Sequence, residues 1–73
     1  MKTQETICVI KNLWTGLFWD NERKQWMLPD NAVDVLMLAI NEKDYEKVLS
    51  SIPKYDHKDC ILTIITVETN IIF

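Results

Sequence analysis

A chain of 73 residues with 48% hydrophobic content, a single glycine and a formal charge of −3 makes one domain, and excludes a disordered tail or a polycation. At this size folding buries about 60–65% of the surface the unfolded chain exposes, so the core is thin and surplus apolar side chains must surface. Eleven acidic residues against eight basic ones lack the clustered cations that phosphate binding needs, which argues against nucleic acid as a partner.

The first predicted element is a strand over Glu5–Lys11, whose Thr6, Ile7, Cys8, Val9 and Ile10 are apolar on both faces, as in the interior of a sheet. Asn12-Leu13-Trp14-Thr15-Gly16 supplies turn chemistry, and Gly16 takes a positive φ without steric cost. Leu17-Phe18-Trp19 resumes the extended run, Asp20–Arg23 breaks it, and Lys24–Leu28 forms a third short strand around Trp26. The three make an antiparallel β-meander that Pro29 ends, because proline cannot donate to a ladder.

A helical part follows. Asp30 or Asn31 is placed to cap it, with Asp34 in the first turn. Val33, Leu36, Met37 and Ile40 form one apolar stripe, and Tyr45, Val48, Leu49 and Ile52 form a second. The five-residue step from Ile40 to Tyr45 breaks register, and Asn41 with Asp44 three residues on reads as a fresh cap. The expectation is a short first helix or turn and a firmer helix at Glu42–Ser51, with one bent helix as the alternative; Pro53 stops either. Lys54–Asp59 reads as a charged loop. Cys60–Val67 is the strongest strand, expected in the sheet interior beside the first one, and parallel to its neighbour if the helical part is a single rod. The fold class is thus α+β, one domain over residues 1–73: a meander, one or two helices on one sheet face, and a final C-terminal strand.

The inventory leaves little for catalysis. One glycine cannot build a phosphate loop, and His57 is the only histidine. His57 and Cys60 lie three apart at a strand entry, a poor nucleophile–base pair, so His57 reads as a solvated loop residue. Cys8, His57 and Cys60 lack a fourth ligand and the paired short spacings of a zinc site. No catalytic, cofactor-binding or metal-binding residue is assigned, and no cofactor. Both thiols are expected free and buried, in a reducing cytoplasmic setting, because Met1–Glu5 is polar and leads into no cleavable apolar run. No stretch reaches the roughly 18 to 20 apolar residues of a membrane span.

Four aromatics fall within the meander: Trp14, Phe18, Trp19 and Trp26. Trp19 and Trp26 are expected as cross-strand neighbours filling the core. Trp14 sits at a turn, where full burial is hard, and with Leu13 it is the first candidate for a partner anchor. The apolar end Ile71-Ile72-Phe73 is the second.

The run Val9-Ile10-Lys11-Asn12, Thr15-Gly16, Phe18-Trp19 and Trp26, then Tyr45-Glu46-Lys47-Val48-Leu49 before Pro53 and a closing strand, resembles short phage and mobile-element proteins of meander–helix–strand plan. This chain departs from that plan between Asp30 and Ile40, where it is longer and more apolar, and at its apolar end. The resemblance implies no site residues; it implies an accessory protein that binds and inhibits a host protein, as anti-defence and anti-CRISPR proteins do. The functional expectation is accordingly a non-enzymatic binding protein, with a host or phage protein as partner and a homodimer as a further option. The alternatives are a nucleic-acid or nucleotide binder using the sheet aromatics, and a homodimeric structural module.

Overall fold

The computed structural model describes residues 2–70 of the chain. Four strands form one antiparallel sheet in the order β3-β2-β1-β4: β1 Lys2–Asn12, β2 Phe18–Asp20, β3 Gln25–Met27 and β4 Cys60–Asn70. The meander and the pairing of first and last strands are as expected. β1 and β4 face each other over their whole lengths, from Lys2 opposite Asn70 to Asn12 opposite Cys60. Only the last part of β1 also meets β2, through Lys11 opposite Phe18. The remainder of β1 and β4 therefore runs on as a two-stranded ribbon, and the molecule measures 45 × 24 × 19 Å.

The helical region contains two helices, not a single rod. α1 spans Ala32–Met37, and its cap is Asn31, whose side chain accepts the Asp34 amide at 2.9 Å. Asn41 does the same for a 3₁₀ turn, Glu42–Asp44, accepting the Lys43 amide at 3.0 Å, and this turn runs directly into α2, Tyr45–Leu49. Because the crossover is broken into two helices, β4 returns antiparallel to β1. Lys54–Asp59, expected as a loop, is a 3₁₀ segment that delivers the chain into β4.

Residues paired across a ladder share a sheet face, and faces alternate along each strand. One face carries Ile10, Trp19 and Leu62, and here α2 packs as expected: Ile10, Trp19, Val48 and Ile52 form the buried core, with Tyr45, Leu49, Trp26 and Ile40 around it. Trp19 and Trp26 are direct partners, their rings edge to face at 5.2 Å. The reverse face carries Val9, Phe18, Met27 and Val67, and α1 turns to this side. It packs along β4, while Asp34, Met37 and Leu38 enclose a small cavity with Asp20 and Met27. The chain passes between faces along the sheet edge at Ile40, whose amide donates to the Cys8 carbonyl at 2.8 Å. The stripe expected on α1 is consequently not its buried one: Val33 and Met37 are exposed, and Leu38, just past the helix, is buried instead.

The expectation that β4 lies inside the sheet is corrected. Among the described residues β4 is an edge strand, with β1 on one side and no further strand on the other. Its apolar content is only partly used in burial: Leu62 packs on the α2 side and Val67 is buried on the α1 side, while Ile61 and Ile64 are exposed.

Candidate protein-binding surface

The turn after β1 is built by Asn12. Its side chain is buried, and its Oδ1 accepts the amides of Trp14 at 2.9 Å and Thr15 at 3.1 Å. The Asn12 backbone closes the loop at both ends: its carbonyl accepts the Gly16 amide, and its amide donates to the Leu17 carbonyl, both at 2.8 Å. Gly16 takes a φ of 77°, in the region that disfavours side chains. Leu13 donates to the Asp59 carbonyl at 2.8 Å, tying the turn to the 3₁₀ segment. The two predicted anchors are held outward by this frame, with Trp14 84% and Leu13 62% exposed. Tyr55, on the adjoining 3₁₀ segment, is exposed as well. Ile71, Ile72 and Phe73, the other predicted anchors, lie outside the described residues.

Two of the sheet aromatics, Trp19 and Trp26, pack in or against the core, while half-buried Phe18 lies on the reverse face with the Lys11 ammonium 5.7 Å from its ring centre. Trp19 is buried with its Nε1–H toward Asn21 Oδ1 at 3.3 Å, and Trp26 donates its Nε1–H to Asp56 Oδ2 at 3.1 Å. Neither ring is free for base stacking in the way single-strand binding modules require. Trp14 is the tryptophan left outside.

The residues weighed for chemistry are arranged structurally. His57 is partly buried, with Nε2 at 2.8 Å from the Ile52 carbonyl, so it closes the end of the α2 region and is not a free loop residue. Cys60 donates its thiol to the Asp56 carbonyl at 3.2 Å. Burial, with the Asp56 and Asp59 charges adding to it, pushes the Cys60 thiol above its ordinary range and away from a reactive thiolate. Burial, aided by neighbouring Cys60, raises the Tyr45 phenol too.

Both cysteines are half-buried, less enclosed than expected. Cys60 pairs with Asn12, four residues along β1 from Cys8. At about 3.3 Å per residue that separation is about 13 Å, well beyond disulfide reach. Among the described residues no three His, Cys, Asp or Glu side chains are grouped to hold a metal ion, and no helix is long and apolar enough to cross a membrane.

The sequence reading missed two features. Asp56 works twice at the end of the core, through its side chain to Trp26 and its carbonyl to Cys60. Ile61 and Ile64 of β4 are exposed, at 42% and 65%. Nothing in the uninterrupted run Cys60–Val67 marks those two apart from their buried neighbours.

The fold and surface together define a small antiparallel α+β domain with an anchored, exposed apolar turn. No protein-family model, curated protein or solved structure matches the chain.

Proposed function

We propose that this chain is a protein-binding module, of the kind phage and mobile-element accessory proteins use to occupy and inhibit a host protein in the host cytoplasm. The observation that carries the reading is the Leu13–Trp14 turn. Trp14 is 84% exposed, yet its amide is tied to a buried Asn12 side chain, so the ring is presented on a fixed backbone. Large aromatic anchors on preorganised loops dominate interface energetics, because little ordering entropy opposes their burial. Among the described residues six other large apolar side chains are also exposed, a surplus expected of a domain that covers part of its surface with a partner.

The test compares the parent with Trp14→Ala in affinity capture from host lysate, with light scattering on both. An exposed side chain contributes little to folding, so the variant's stability is expected within about 0.5 kcal/mol of the parent. One stoichiometric partner retained by the parent and weakened by 2 kcal/mol or more, about thirtyfold, in the variant supports the reading. Equal capture by both removes Trp14 from the account. A tryptophan fluorescence change with oligonucleotide at low salt would favour the nucleic-acid alternative instead.

A further inference from the structure

The register of β1 and β4 determines which way each β4 amide points. Leu13 donates to the Asp59 carbonyl, which makes 13 and 59 a hydrogen-bonded pair. Such pairs recur at every second residue, so Ile61, Thr63, Ile65 and Val67 turn their backbone groups toward β1. The other edge of β1 agrees: Asn12 donates outward to Leu17, and the Cys8 carbonyl accepts Ile40. By the same alternation the N–H and C=O of Leu62, Ile64 and Thr66 point to the open edge, where no strand follows among the described residues.

That edge has few of the features that usually block strand addition. β4 contains no proline and no lysine along its eleven residues. Beside it lies an open groove of about 570 Å³ between the 3₁₀ turn with α2 and the start of β4. Tyr45, Cys60 and Leu62 supply its apolar wall, and Glu42 and Glu46 give its rim two carboxylates against the one ammonium of Lys43.

We propose that the open edge of β4 takes an extended segment of a partner protein as a fifth, antiparallel strand, with an apolar residue opposite Ile64 and a lysine or arginine opposite Leu62. This deepens the protein-binding reading above and rests on it. A residue opposite Leu62 shares its sheet face and so enters the groove, where an aliphatic stem lies on Leu62 and Tyr45 and a cationic head reaches Glu42 and Glu46. The residue two positions away meets Ile64, which is 65% exposed. A second copy of this chain fits less well. β4 itself, the strand a second copy would add along this edge, has no lysine or arginine to enter the groove.

The probes are two short soluble strand-forming peptides, one with Ile-Thr-Lys and the other with Ile-Thr-Glu at its centre, followed by amide hydrogen exchange and NMR titration. In the free protein the Leu62, Ile64 and Thr66 amides are expected to exchange fast and those of Thr63 and Ile65 slowly. The lysine peptide slows the first set, and the glutamate peptide binds about tenfold more weakly. Ile64→Pro removes an outward amide without breaking a β1 bond, and is expected to abolish peptide binding. Absence of protection at the outward amides, or equal binding of the two peptides, overturns the proposal. So does protection in the free protein that grows with its concentration, which would assign the edge to a second copy. A protein partner weakened by Trp14→Ala but bound equally by Ile64→Pro would preserve the protein-binding reading and end this one.

Discussion

Deleting the Asn12 side chain would strand the amides of Trp14 and Thr15, which its Oδ1 accepts, in a partly buried turn. Leaving such donors without a partner costs about 1–3 kcal/mol, so Asn12→Ala is expected to lower the urea midpoint by that equivalent. Asn12→Asp keeps the acceptor and should lose less. The same motif recurs at Asp20, whose Oδ1 accepts the amides of Glu22 at 3.0 Å and Arg23 at 3.1 Å, and at the caps Asn31 and Asn41. Four short polar side chains thus organise four of the chain's reversals. Lys24 shows the limit of this chemistry: it holds a φ of 55° without being glycine, with its ammonium at 2.8 Å from Asn21 Oδ1.

Individual elements show where the sequence was legible. Turn and cap residues act locally: Asn12 and Gly16 frame the first turn, Asn31 and Asn41 cap the helical segments, and Pro29 and Pro53 lie just past β3 and α2. Strand ends without such a residue were less legible: β1 begins at Lys2, not Glu5, and β4 runs on through residues 68–70 instead of breaking there. The stripe Tyr45, Val48, Leu49 and Ile52 was readable as the face of a helix, and all four join the core. The anchors Leu13 and Trp14 were legible as exposed because a turn leaves a large side chain little to pack against. β4 was not legible in the same way. A run that is apolar on both faces does not by itself tell an edge strand from an interior one, and in β4 only part of it is used in burial. The consequence is measurable on two isoleucines of similar strand context. Ile10, wholly buried, is expected to cost about 2–5 kcal/mol when changed to Ala. Ile64→Ala, at an exposed position, should stay within about 0.5 kcal/mol in the same chemical denaturation series.

At the scale of the whole molecule, stability should depend on pH on the alkaline side. The thiol of Cys60 and the phenol of Tyr45 are both raised in the fold above ordinary values of 9.0 and 10.0, chiefly by burial. The unfolded chain therefore loses these protons first, and bound protons favour the native state. Their stabilising contribution is complete below the unfolded values and is lost as pH rises through them toward the raised folded values. Folding free energy followed from about pH 8 upward should fall, and Cys60→Ala should fall less steeply over the thiol part of that range. An unchanged slope would separate Cys60 from the effect.

The pairing of Lys2 with Asn70 also decides how the molecule answers a mechanical load. The described ends of β1 and β4 are neighbours at the tip of the ribbon, so tension applied there is carried by one hydrogen-bonded pair at a time. The ladder is then expected to open pair by pair from Lys2–Asn70 toward Asn12–Cys60. Traction between Asn70 and the Trp14 turn pulls β4 and β1 past each other along their length, so the ladder is expected to share it. A partner that grips the turn while the ribbon is held would load the domain in its strong direction.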